Sequence, residues 1–257
     1  MPQGRRCVVL DWLFFAVAIP AAIMTGMSKG GFGGSLGFAA TPLVALVVDP
    51  VLALGLMLPL FMIMDVAAMR IYWRKWHGPS VRALLLGGVP GVALGVGLYA
   101  VTDARVLGFL LGFMAVAFVL FQAARGAGWV QVQPAPFSAK RGTAAGLMSG
   151  FGSFVSHAGG PPVLMFLLPL GLDKTRFHAT TVAFYWVINI AKAVPYAFLG
   201  FFTAETLLAN AILLPVAFFG VWLGVKAQHM IPERIFFAVT YTFLLIAGAR
   251  LMWMAFG

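Results

Sequence analysis

Along the chain, apolar runs alternate with short polar connections. Many of the runs approach the ~20 residues that a helix needs to cross a bilayer. Long runs lie near 8–27, 51–72, 80–100, 104–123, 177–200, 205–227 and 232–255, and shorter ones near 37–48, 142–154 and 161–171. The short runs flank two Gly-rich interruptions, 28–36 and 155–160. The longest polar connection, Arg125–Arg141, carries Pro134 and Pro136 and divides the chain near its middle. The pattern predicts an all-α polytopic membrane protein with about 8–10 membrane segments, some of them short broken or re-entrant helices. Its parts are 1–124, a cytoplasmic linker 125–141, and 142–257.

The two parts repeat one another. Thr25-Gly26-Met27-Ser28-Lys29-Gly30-Gly31-Phe32-Gly33 recurs as Ala145-Gly146-Leu147-Met148-Ser149-Gly150-Phe151-Gly152. Asp49 then matches Asp173, Asp65 falls opposite Asn189, Gly91-Val92-Ala93-Leu94-Gly95 recurs as Gly220-Val221-Trp222-Leu223-Gly224, and Arg105 matches Arg234. Several such matches in one order imply two five-segment repeats. An odd number of crossings per repeat inverts the second against the first.

Composition narrows the class. The chain has 257 residues, of which 62% are hydrophobic and 9% charged. Soluble domains carry about 25% charged residues, so a soluble enzyme or a nucleic-acid reader is excluded. The net charge of +10 follows the positive-inside rule. With inverted repeats, Lys29, Arg70–Arg82, Arg125–Arg141, Lys174–Arg176 and Lys226–Arg234 fall inside, and Arg5, Arg6, Arg105 and Arg250 outside. That is 12 basic residues against 4, with Lys192 left in the membrane. A parallel arrangement scores about 10 to 5. The single cysteine, Cys7, allows no intrachain disulfide. No A-x-A cleavage site follows the first apolar run, so that run is expected to be retained.

The two interruptions carry the candidate chemistry. Non-helical backbone at membrane depth survives only inside protein or beside a wet cavity. The half-helices that follow offer N–H donors and a positive dipole end, which suit an anion. The glycines would also allow close helix packing, as expected of Gly26/Gly30, Gly91/Gly95, Gly108/Gly112 and Gly220/Gly224. Lys192 lies far from either end of its segment, in a polar stripe of His178, Thr181, Tyr185, Asn189, Lys192 and Tyr196 at helical spacing. It is either a ligand or half of an ion pair. Asp65 is the counter-ion of Lys192 or Lys29, or else a proton site. His157 either couples protons or bonds freed carbonyls. Lys29 is either a ligand or a snorkelling anchor. No cofactor, metal or nucleic acid is expected, and the exposed G-x-x-x-G faces permit a homodimer.

Ser28-Lys29-Gly30-Gly31-Phe32-Gly33-Gly34 with Pro42, then Ser153-Phe154 and His157-Ala158-Gly159-Gly160-Pro161-Pro162, resemble the two signature loops of the TauE/SafE sulfite exporter family. The similarity continues through Leu167-Leu168-Pro169, Lys174, Phe177, Asn189, Lys192 and Tyr196 to Gly200, and covers nearly the whole chain. Ser35 stands where many relatives have a third glycine. The resemblance implies a carrier of the bacterial inner membrane for sulfite or small organosulfonates. The expected site has backbone donors at Gly30, Gly31, Gly33, Gly34, Gly159 and Gly160, with Lys29 and Ser35 beside them. Lys192 supplies charge, Asn189 and Thr181 are neutral donors, and His157 and Asp65 are the ion-pair or proton-coupling groups. A passive anion channel on the same scaffold is the alternative. A membrane-embedded enzyme using His157 as base is disfavoured, because no carboxylate in that loop orients the ring.

Overall fold

The computed structural model describes residues 11–31, 37–129, 133–227 and 233–256. The described residues form helices α1 (Trp12–Gly31), α2 (Ala40–Val44), α3 (Pro50–Tyr72), α4 (Gly78–Ala100), α5 (Ala104–Gly126), α6 (Ala139–Ser156), α7 (Gly160–Leu167), α8 (Lys174–Phe198), α9 (Ala204–Ala227) and α10 (Glu233–Phe256). Single 3-10 turns precede α2 and follow α7. Six helices are long and apolar enough to cross a membrane: α1, α3, α4, α5, α9 and α10. The long run at 177–200 is the helix α8 of 25 residues, but its polar stripe keeps it out of that set. The chain is a multi-pass membrane protein.

Local sequence sets the helix starts. Asp49 accepts from the Val51 N–H at 2.8 Å to open α3, and Asp173 accepts from the Arg176 N–H at 2.9 Å to open α8. Asp103 does the same for α5 and Ser138 for α6. Such caps contribute about 1 kcal/mol each. Two carbonyl ends are closed by left-handed residues. His157 (φ 57°) ends α6, and Gly200 (φ 74°) follows α8. The expected interruption at 155–160 is therefore present, with three non-helical residues between α6 and α7. Of the first expected interruption, 28–31 are helical, because α1 runs through Lys29, Gly30 and Gly31, and 32–36 lie outside the described residues.

Gly30 stays helical because another helix occupies the space a side chain would need. A Cβ at Gly26 or Gly30 would strike the backbone of α9 at Val221. Conversely, Gly220 and Gly224 face the backbone of Ile23 and Met27 on α1. The pair α4/α6 is built the same way, with Gly87 and Gly91 on Thr143 and Leu147, and Gly146 and Gly150 on Leu84 and Gly88. Small residues let backbones approach and gain dispersion energy where lipid offers no hydrophobic drive. The α4 register differs from the expected Gly91/Gly95 by one turn, since Gly95 faces the Phe154 ring instead. Gly108 lies only against Pro50, whereas Gly112 meets Gly248 of α10.

These contacts also give directions. Advancing along α1 from Ile23 to Met27 advances along α9 from Gly220 to Gly224, so the two run parallel, as do α4 and α6. Helices α5 and α10 run antiparallel, because Gly112 meets Met252 while Gly248 meets Ala115 and Val116. Helices α3 and α8 are antiparallel as well. Asp65 meets Asn189, whereas Gly55, earlier on α3, meets Phe201 beyond the end of α8.

Candidate functional site

The polar interior lies where α1, α3, α6 and α8 meet. Its centre is Lys192, which has no exposed surface. The ammonium donates to the Ser153 carbonyl at 3.1 Å, to Ser153 Oγ at 2.9 Å and to His157 Nδ1 at 2.8 Å. Three protons thus meet three acceptors, which is the full capacity of the group. None of the three acceptors carries a negative charge. Lys192 is in neither of the ion pairs found among the described residues.

His157 is positioned by the end of α6. Its left-handed backbone turns the chain there, and histidine visits that region more readily than most residues. Its N–H donates to the Ser153 carbonyl at 3.0 Å, and the Ala158 N–H donates to the Gly152 carbonyl at 3.2 Å. The ring reaches α3, where Nε2 lies 3.2 Å from the Leu54 carbonyl. A carbonyl only accepts, so Nε2 carries the proton and Nδ1 is the lone pair that faces Lys192. This tautomer makes His157 a neutral ligand of a buried cation. The ring edge of Phe61 holds it from the side, with centroids 4.9 Å apart at 90°.

The second cation is treated differently. Lys29 forms a salt bridge with Asp65 and donates to the Phe61 carbonyl at 3.2 Å. Its ammonium also lies 5.2 Å from the Phe61 ring centroid, a cation–π distance. Asn189 donates from Nδ2 to the other Asp65 oxygen at 2.5 Å. Asp65 is therefore the counter-ion of Lys29, and the buried Asn189 completes its solvation. Of the two partners left open by the sequence, Lys29 is the one in contact.

The remaining candidates are spread out. Gly159 is folded back on α6, where a Cβ would meet the Oγ and carbonyl of Ser149, and Ser149 Oγ donates to its carbonyl at 2.7 Å. Gly160 is the first residue of α7, and Pro161 and Pro162 follow it. Proline has no N–H, so this helix start offers fewer donors than a typical one. Thr181 bonds the Phe177 carbonyl of its own helix at 3.0 Å. It lies two turns from Asn189, about 12 Å along α8. Gly31 ends α1, while Gly33, Gly34 and Ser35 lie outside the described residues, as do Arg5, Arg6 and Cys7.

Sequence reasoning had not assigned Ser153 as a ligand of Lys192. The available signal was its place four residues before His157, on the same face of α6. Tyr196 was legible as part of the polar stripe, whereas Thr41 had no signal at all. Tyr196 donates to the Phe154 carbonyl at 2.6 Å and fixes α8 on α6. Thr41, at the start of α2, is fully buried, and its hydroxyl has no hydrogen-bond partner among the described residues. Phe38 and Ala39, just before α2, share a buried cluster with Ala158 of the second break.

Comparison with individually described proteins and with solved structures gives no significant match. Comparison with protein families gives one over residues 18–251, described as Sulfite exporter TauE/SafE. The match begins within α1, ends within α10, and includes both breaks and Lys192. On that span, the chain belongs to the sulfite exporter TauE/SafE family of membrane transport proteins.

Proposed function

We propose that this chain is a secondary carrier that exports a small sulfur oxyanion, sulfite or an organosulfonate, across the bacterial inner membrane. The observation that carries the reading is the charge balance of the polar interior. Lys29 and Asp65 cancel, while Lys192 is buried among neutral acceptors. A lysine at a helix centre costs about 2.5–3.5 kcal/mol on insertion scales. A singly charged anion would supply the missing negative charge and take over some of the three hydrogen bonds. The unpartnered Thr41 hydroxyl and the N–H groups at Gly159 and Gly160 are further donors for its oxygens. The absence of exposed surface on Lys192 fits a carrier caught closed better than an open anion channel.

Transport proceeds by movement of one repeat against the other. Helices α1–α5 and α6–α10 form the two repeats, joined by the linker 125–141. The pairing of helices supports this division. The first helix of each half packs on the fourth of the other, α1 on α9 and α6 on α4. The third helices meet through the repeat-related Asp65 and Asn189. A twofold axis in the membrane plane reverses related helices, and α3/α8 and α5/α10 are antiparallel. This orientation keeps the linker inside, but Lys29 is a partly buried ion-pair member instead of a headgroup anchor. His157 is the proton-coupling group. Once a bound anion takes over the hydrogen bond from Lys192, His157 Nδ1 has a free lone pair and can accept a proton from water.

The test is uptake of labelled sulfite into proteoliposomes, with and without a pH gradient, for the wild type and Lys192→Met. Saturable uptake by the wild type and a loss of at least about 100-fold in the variant are expected, with helical content and elution volume unchanged. Equal flux through both proteins would remove Lys192 from the site.

A further inference from the structure

Two basic side chains stand beside apolar grooves at the start of α6, outside the polar interior. Ser138 caps this helix, and the next two side chains along it that carry charge, Lys140 and Arg141, are both exposed. Neither belongs to an ion pair found among the described residues. Each heads a separate groove. Lys140 stands over a cavity of ≈ 610 Å³ between α4 and α6, lined below it by Gly87, Pro90, Thr143 and Leu147. Arg141 stands over a cavity of ≈ 350 Å³ between α6 and α7, lined below it by Ala145, Met148, Pro161 and Met165.

The walls are almost wholly apolar, and Leu147, Met148 and Met165 expose large parts of their surface. In a bilayer these surfaces face lipid. From Lys140 to Leu147 the first groove runs about 10 Å down the helix, from headgroup depth into the hydrocarbon. The ridge between the grooves carries the small Ala144, which is exposed. The helix dipole adds positive potential at the same end as the two basic side chains.

We propose that this end of α6 binds one anionic diacyl phospholipid, with the headgroup phosphate between Lys140 and Arg141 and an acyl chain in each groove. Charge selects the occupant: two unpaired cations above two apolar channels complement an acidic headgroup above two chains, and a zwitterionic lipid carries a cation of its own into the same place. The site rests on the orientation proposed above, which sets the 125–141 linker at the cytoplasmic leaflet. Basic residues there attract anionic lipid with about fivefold in affinity each.

The experiment is native mass spectrometry of the detergent-purified protein with phosphatidylglycerol or phosphatidylcholine of identical acyl chains. The wild type is expected to retain one phosphatidylglycerol. Lys140→Gln/Arg141→Gln together should weaken that retention about 30-fold, with phosphatidylcholine unaffected. Ala144→Phe, which keeps both charges but obstructs the ridge, should also lower it, and glycerol phosphate without chains should not displace the lipid. Equal phosphatidylglycerol retention by the wild type and the double variant would overturn the site, as would displacement by glycerol phosphate. The readout is lipid mass and not flux, so its failure is separable from failure of the carrier reading. A Ser138→Cys label that reacts only from outside would refute the orientation independently.

Discussion

The two lysines of the polar interior, on α1 and α8, are solved in opposite ways. Lys29 on α1 has a carboxylate, and that carboxylate has its own amide donor from α8. Lys192 on α8 has a carbonyl, a hydroxyl and a neutral imidazole. The first arrangement is complete and holds α1, α3 and α8 together. The second satisfies three hydrogen bonds with no carboxylate in contact. In a low-dielectric interior hydrogen bonds and a counter-charge are separate requirements, because hydrogen bonding does not remove the cost of net charge. On the carrier reading proposed above, that difference separates a structural cation from a functional one.

Three changes probe that difference. The largest effect is expected from Asp65→Asn, which strands Lys29 as an unmatched cation. Breaking a buried pair on one side costs about 3–5 kcal/mol, which thermal unfolding in detergent would register. Replacing both partners together, Lys29→Met with Asp65→Leu, should recover most of that loss. An Asp65→Asn protein as stable as the wild type would mean that the salt bridge is not what holds the three helices.

Ser153→Ala comes next. It removes one neutral acceptor from Lys192 and leaves the carbonyl in place. Hydrogen bonds to charged groups contribute about 1.5–3 kcal/mol. The expected result is a moderate fall in melting temperature with sulfite uptake retained, because the anion itself replaces that acceptor. Loss of uptake equal to that of Lys192→Met would give the serine a direct role in binding.

The smallest change is expected from His157→Gln. Glutamine can still accept from Lys192 and donate to Leu54, but it does not titrate. Total flux should fall only a few-fold, while its dependence on pH should flatten. A pH profile unchanged from the wild type would move the coupling group away from this residue.

Much of this arrangement was legible in the sequence. The runs at 51–72, 80–100, 104–123 and 205–227 lie within the observed α3, α4, α5 and α9 to within a few residues, because apolar length is the dominant signal for a buried helix. The stripe on α8 was legible from its spacing alone, and the second break from Gly159, Gly160 and two prolines in a row. The first break was expected from residue 28, but 28–31 are helical. Gly30 and Gly31 read as breakers, yet both are helical, and the close approach of α9 accounts for the glycine at Gly30. The partner of Asp65 was equally hidden. Lys29 and Lys192 are both plausible on charge, and the choice depends on how α1 and α8 approach α3. Nor could the Ser153 carbonyl be foreseen as a ligand, since every residue has one.

The swapped packing of α1 on α9 and α6 on α4 also constrains how the protein is made. Helix α6 emerges from the ribosome with its partner already in the bilayer. The glycine face of α1 has no such luck in chain order, because Gly220 and Gly224 are synthesised near the end. At about 5–20 residues per second, the first helix waits for tens of seconds or less before its docking surface exists. During that interval its small-residue face is open to lipid or to an insertion chaperone. The last two helices then close both the bundle and the chain's own assembly order.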